Sequence, residues 1–365
     1  MLHTDRIDTI DQLRAIAPEW NELWQRSRAT SALHRAESLL SFLEHFSMDG
    51  RLYVFTVREN GRLLAALPIV ETRRFLKLAV VGLPINEWSL PGTLLLDAEA
   101  DPQPILLTLL DELSRSGFWL VRLDQIDVDS PDWAEFLAGV KKKRMPHETV
   151  SQYKMGTVDT RADFETLIAG RSKNLRSTLR RRRRRLEEMG VLRFTMVDRF
   201  SPEPDGQPLE PLFRKMFELE EKSWKKEAGG TVLGTPGIFD FYVELGQLMS
   251  EGGFLRVAML EHEDRLIAYD LAVESKGVYH SYKVSYDPDF NAYGPGQLLH
   301  ESILSHACAS PAIEAVHFCG PMDDAIAAWS DESHTIDRLS FTSRGFGHRL
   351  LWLAYRTAAV FRRSL

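Results

Sequence analysis

Four groups of residues in this 365-residue chain are of types, and at spacings, that could do chemistry. The first is a run of arginines: from Arg171 to Arg185 nine of fifteen residues are basic and none is acidic. Guanidinium groups suit phosphate and carboxylate because they offer paired N–H donors. The second is the glycine pair Gly294 and Gly296. They lie in the turn-rich stretch PDFNAYGPG, after the strand-like VYHSYKVSY (278–286) and before a helical pattern from Gln297. A helix that opens on uncrowded backbone presents free N–H groups and partial positive charge, a natural seat for phosphate. The third group is acidic. Glu221 stands beside Lys222, Ser223, Trp224 and Lys225, and Asp270 interrupts the apolar strand RLIAYDLAV. Either carboxylate could take a proton from an amine, or Glu221 is an exposed helix charge and Asp270 a structural hydrogen-bond partner. The fourth is a pair of strand histidines, His280 and His317, read as substrate contacts or as structural residues. Trp224 could stack on an acceptor ring or pack in the core.

The elements that must position these groups follow from hydrophobic period. Leu175, Leu179, Leu186 and Met189 fall in one stripe at 3.6 residues per turn, so the arginine run is an amphipathic helix that Gly190 ends. Arg171 and Arg182 land on that stripe instead of opposite it. A charge there is costly unless paired, so each needs an acidic partner or an anionic ligand. Residues 8–47 read as helical, 52–57 and 62–70 as a hairpin turning at Asn60-Gly61, 105–113 as a helix and 118–126 as a strand. KKKR at 141–144 is a solvated charge run.

Composition limits the class. The chain is 44% hydrophobic and 27% charged with net charge −7, the profile of a globular protein whose whole surface does not advertise nucleic acid or an anionic membrane. Cys308 and Cys319 are its two cysteines, which excludes a disulfide framework and points to a reducing, cytoplasmic compartment. No apolar run reaches the length of a membrane span, and no histidine or cysteine spacing suggests a metal. The length implies two domains, placed at 1–155 and 156–365.

The second half repeats the first. Residues 52–71 and 255–274 are identical at seven of twenty ungapped positions, and each hairpin is followed by a Pro-Gly pair, a helix and an apolar strand. Only in the second copy does Pro295-Gly296 open directly into the helix, so the phosphate seat belongs there and the first copy shapes a wall of the acceptor cleft.

The arginine helix, LEEKSWKKEAGGTV (219–232), the second hairpin and YKVSYDPDFNAYGPGQLL (282–299) together resemble the BioF2-like or CelD-type GNAT acyltransferases. These are double-GNAT proteins related to the Fem aminoacyltransferases. The resemblance covers about residues 155–330 well and 1–150 more weakly. It implies a mixed α+β fold of tandem GNAT-like domains, each a mostly antiparallel sheet flanked by helices, the first degenerate. It also implies acyl-CoA as co-substrate, without a metal, and an amine acceptor of cell-envelope or exopolysaccharide chemistry. By the same resemblance Lys283, Val284, Ser285 and Tyr286 supply the strand that pairs with pantetheine, and Gly294, Gly296, Gln297 and Leu298 the amides for its pyrophosphate. Arg171, Arg182, Trp224, Lys225, His280 and His317 become substrate contacts. The loop departs from the Gln/Arg-x-x-Gly-x-Gly/Ala pattern of GNAT proteins, and HFCGPMDD (317–324) lacks the Tyr-Lys pair of related chains. The usual tyrosine acid is missing as well, which leaves its role to Tyr282, Tyr286 or solvent.

Three functions are therefore expected to compete. The first is acyl-CoA-dependent transfer to the amine of an amino sugar or other glycan precursor. The others are Fem-like transfer from aminoacyl-tRNA, and ligand binding without catalysis.

Overall fold

The structure, a computed structural model, describes residues 1–46, 51–75, 78–200, 208–223, 230–343, 347–348 and 352–353. Its chain divides into two units: Met1–Ala29 with Leu33–Tyr153 and Thr335–Leu365, and Thr30–Ala32 with Lys154–His334.

The first unit opens with β1 (Leu2–Ile7), and the helical stretch expected over 8–47 breaks into α1 (Ile10–Ala15), α2 (Ala17–Arg26) and α3 (Ala36–His45). Thr9 caps α1 and Pro18 sits in the first turn of α2, so the breaks follow start signals in the sequence. The hairpin β2 (Leu52–Glu59) and β3 (Arg62–Phe75) turns at Asn60 and Gly61, both at positive φ. Then come β4 (Leu78–Gly82), the short β5 (Leu95–Leu96) on β3, α4 (Pro102–Arg115), β6 (Leu120–Ile126) and α5 (Pro131–Lys142). β4 and β6 are parallel, with α4 as their crossover. Phe55, Leu106, Leu109 and Phe136 are among the residues of this unit's core.

β7 (His147–Asp159) leads into the second unit, which continues with α6 (Phe164–Ala169), the arginine helix α7 (Lys173–Glu187), β8 (Leu192–Val197), α8 (Leu209–Glu220) and α9 (Ile238–Glu251). The second hairpin, β9 (Leu255–His262) and β10 (Arg265–Ser275), is followed by β11 (Val278–Tyr286), a 3₁₀ turn (Pro288–Tyr293) and α10 (Pro295–Ala309). β12 (Ala315–Phe318), α11 (Asp324–Ala327) and β13 (Glu332–Phe341) complete it, and from Thr335 β13 belongs to the first unit, where it pairs with β6. The strands of the second unit lie in the order β7-β12-β11-β10-β9-β8, with β11 and β12 parallel and the other neighbours antiparallel. Hairpin, third strand, helix and a strand parallel to the third thus recur in both halves, as the repeat in the sequence predicts. Among the described residues no helix is long and apolar enough to cross a membrane.

α7 is seated by its leucines. Leu179 and Leu186 are buried in a core that also takes Ile267, Leu299 and Trp329, while Lys173, Arg180, Arg181, Arg184 and Arg185 remain exposed. Ser172 caps the helix by accepting from the Leu175 amide. Arg171 therefore lies just outside the helix instead of on its stripe. It is expected that Leu179→Ala and Leu186→Ala each lower unfolding free energy by about 2–5 kcal/mol, and that Arg185→Ala changes it by less than about 0.5 kcal/mol. Urea unfolding of the three variants checks this.

Candidate functional site

The site is built where β11 outruns its neighbour. β11 pairs with β12 only from Val278↔Ala315 to Ser281↔Phe318, yet it continues to Tyr286. On its other side the register with β10 runs from Ala272↔Ser281 to Leu271↔Lys283, so Tyr282 is an extra residue in a β-bulge. Directly opposed residues share a face. Val273↔His280, Leu271↔Lys283 and Tyr269↔Ser285 therefore place His280, Lys283 and Ser285 with Tyr269 on one face. Asp270↔Val284 and Ala268↔Tyr286 place Asp270, Val284 and Tyr286 on the other, towards α10. Residues adjacent in sequence are separated by the sheet.

On the first face lies a buried polar cluster. Glu220, the last residue of α8, is fully buried; Tyr269 donates to its Oε2 at 2.9 Å and Lys283 Nζ lies 3.1 Å from its Oε1. The Lys283 ammonium is also 5.5 Å from the centre of the Tyr242 ring, and that ring is 6.3 Å from Tyr282. Burial, then the Tyr282 and Glu220 charges, push the Tyr242 phenol well above its ordinary range. Burial and then Glu220 do the same to Tyr269. Both phenols stay protonated, and Tyr269 donates to Glu220.

The histidines stand at the end of the β11–β12 ladder. His280 and His317 are paired in register, their rings 5.2 Å apart and nearly perpendicular, and His334 lies 6.5 Å from His317. Burial, then the neighbouring His334, lowers His317 to about 4, so at neutral pH its imidazole is uncharged. Cys319 Sγ is 3.8 Å from His280 Nδ1; burial, then Asp270, raises the thiol to about 12. This is an unreactive thiol. Among the described residues no group of three or more histidines, cysteines or carboxylates is placed to hold a metal ion.

Beyond β11, the loop into α10 is braced. Buried Asp287 accepts from Arg265 Nε at 2.9 Å and Nη2 at 2.6 Å, and its other oxygen caps the Asp289 amide. The loop ends on Gly294, at φ +57°, against which the Arg182 guanidinium lies; a Cβ added there would come within 2.8 Å of Arg182 Cζ. Arg182 is half-buried and has no counter-ion among the described residues. The amides are fewer than the sequence suggests. Gly294 N–H donates to Asn291 O, the Gln297 and Leu298 amides to Gly294 O, and Pro295 has none. That leaves the Gly296 amide, two residues beyond Gly294, without a backbone acceptor among the described residues. The Gln297 side chain is occupied too, donating to Ala325 O at 2.9 Å and accepting from Trp329 Nε1 at 2.7 Å. The Tyr286 ring lies near Gly296, at 3.5 Å from where a Cβ would be.

The remaining candidates fall elsewhere. Arg171 is nearly buried and paired with Asp331 at 2.6 Å, so its charge is answered within the protein. Asp270 is fully buried on the α10 face and accepts from Tyr279 at 3.4 Å. Glu221 caps the end of α8, with Oε1 buried and without a hydrogen bond among the described residues. Trp224 and Lys225 lie outside the described residues. Glu220, Tyr242 and Tyr269 were not foreseen, although helical period would have selected Glu220. It follows Phe213, Met216 and Phe217 by seven, four and three residues, and all are buried.

Residues 173–325 match the family described as an acetyltransferase (GNAT) domain. The two-copy arrangement has solved counterparts. The crystal structure of FemX superposes with TM-score 0.62 at 10% identity, over 95% of this chain and 100% of that one. The C-terminal domain of a putative lysylphosphatidylglycerol synthetase from Agrobacterium fabrum gives 0.55 at 13% identity, over 95% and 96%. A tandem GNAT protein from the clavulanic acid biosynthesis pathway gives 0.50 at 11% identity, over 94% and 100%. At these identities the likeness is one of fold: mixed α+β and GNAT in type, as the sequence led us to expect. No curated protein matches the sequence.

The Glu220–Lys283 pair yields a test of the cluster. Lys283→Met removes the ammonium that balances the buried Glu220 carboxylate and should cost about 3–5 kcal/mol, much of it recovered when Glu220→Gln is added. Urea unfolding of both single variants and the double variant measures the coupling.

Proposed function

We propose that the protein is an N-acyltransferase that moves an acyl group, acetyl in the simplest case, from acyl-CoA to an amine. The amino group of an amino sugar or related cell-envelope precursor is the acceptor class that the BioF2-like and CelD-type resemblance suggests. One observation carries the reading: the half-buried Arg182 guanidinium, without a counter-ion among the described residues, lies on Gly294 where β11 hands over to α10, two residues before the unengaged Gly296 amide. A partly desolvated charge without a partner is unfavourable, and a phosphate at this point would satisfy it. The GNAT match over 173–325 supports the same assignment, since domains of this kind use acyl-CoA.

In this reading a thioester lies along β11 beyond Ser281, with its carbonyl near the Tyr282 bulge. The amine nitrogen attacks that carbon, the C–S bond breaks, and the amine proton leaves to a base. Glu221, with its buried, unsatisfied oxygen, is the residue we assign as base. Tyr282 is assigned as the donor to the departing thiolate, and His280 with the uncharged His317 as the wall that orients the acceptor. Asp270 and Tyr286 are left in structural roles on the opposite face.

Transfer from aminoacyl-tRNA is the second reading. The exposed arginines of α7 and the fold shared with FemX favour it.

Thermal unfolding with acetyl-CoA, a longer acyl-CoA and free CoA tests the proposal. A ligand at about 100 times its dissociation constant adds about 2.7 kcal/mol to the native state, so the midpoint should rise with acyl-CoA and the rise should vanish in Arg182→Ala. No rise with any thioester in folded protein, together with salt-dependent retention of aminoacyl-tRNA, would favour the second reading.

A further inference from the structure

The outer face of α7 is unexplained by a single phosphate seat. Lys173, Arg180, Arg181, Arg184 and Arg185 are exposed. Among the described residues their one ion pair is Arg184 with Glu188 at 3.3 Å, both well exposed and hence weak. The helix extends about 22 Å at 1.5 Å per residue, and it carries this charge on a protein whose net charge is −7. Solvated like charges repel one another, so the stripe is a feature that a negatively charged partner would stabilise.

Two details bear on which partner. The seat at Gly294 has one guanidinium and one unengaged amide, enough for a single phosphate but sparse for a pyrophosphate. The stripe also ends at Met189 and Val191, two of the four exposed large hydrophobic residues described. Arginine and methionine around apolar contacts characterise protein interfaces. Unstructured RNA is gripped instead by aromatic stacking platforms, and α7 carries no aromatic residue.

We propose that the α7 stripe docks a small acidic carrier protein that presents the acyl group on a phosphopantetheine arm. The arm's one phosphate would sit between Arg182 and Gly296, and the carrier's acidic surface would lie on Arg180, Arg181, Arg184 and Arg185. Met189 and Val191 would supply the apolar edge of the contact. The inference rests on the acyl-transfer reading of β11 and extends its donor from free acyl-CoA to a protein-borne thioester. Its chemistry is unchanged: the arm's C–S bond breaks, the C–N bond forms, and the proton lost by the amine ends on the arm's thiol.

The test is fluorescence anisotropy of a labelled bacterial acyl carrier protein bearing acetyl-phosphopantetheine, titrated with the full-length protein at low and at high salt. The same carrier without its arm and bulk tRNA serve as competitors. Arg180→Glu/Arg181→Glu/Arg184→Glu is the variant, and its midpoint shift with acetyl-CoA is measured in parallel. We expect binding that weakens with salt, competition by the armless carrier, and a loss of at least tenfold in the variant while its acetyl-CoA shift is retained. Absence of carrier binding in wild-type protein that still responds to acetyl-CoA would overturn the proposal and leave the transfer reading intact. Equal binding by the variant, or stronger competition by tRNA than by the carrier, would overturn it as well. Absence of both carrier binding and any acetyl-CoA shift would count against the transfer reading itself.

Discussion

A guanidinium held half-buried without an opposing carboxylate is unfavourable in a chain free to choose otherwise, and Arg182 is such a group. Its neighbours on α7 show the contrast. Arg183 reaches Glu301 on α10 at 2.7 Å, and Arg171, just before the helix, reaches Asp331. Arg182 instead meets Gly294, where the absence of a side chain and the left-handed backbone leave room for it. Leu179 and Leu186 hold the helix in that register, and the Arg265–Asp287 pair holds the loop that ends on Gly294. The proposed phosphate seat thus depends on a core, the Arg265–Asp287 ion pair and one glycine acting together.

The second constraint is the bulge at Tyr282. Without it, strict alternation would turn Lys283 away from Glu220, and His280 and Lys283 would face opposite sides of the sheet. The extra residue brings both to the face that carries Tyr269 and Glu220, beside the Tyr242 ring. Edge irregularities of this kind commonly re-aim side chains next to functional sites.

Much of this was legible in the sequence. The β11 boundaries, the hairpin at Asn60-Gly61, the amphipathic arginine helix and the repeated order of elements all follow from period, turn residues and glycine stops. The site was less legible, for particular reasons. Glu221 stands out by its neighbours in sequence, whereas the buried Glu220 beside it is marked only by its place on the apolar face of α8. The face of Lys283 depends on a bulge, and no residue type marks a bulge in VYHSYKVSY. Gln297 and Leu298 looked like phosphate amides because a helix was expected to begin at Gln297. It begins at Pro295, and Gly294 O takes both amides. The answer to Arg171 comes from Asp331, 160 residues away in sequence, a pairing that local spacing does not encode.

The central claim is that the donor lies along the end of β11 with its phosphate between α7 and α10. Hydrogen–deuterium exchange with and without saturating acetyl-CoA tests it most directly, because it reports position as well as binding. Protection should appear in peptides spanning 282–298 and in those around Arg182, with the first copy's hairpin at 52–70 unchanged. Protection confined to the first copy, with 282–298 exchanging as in the free protein, would contradict the account.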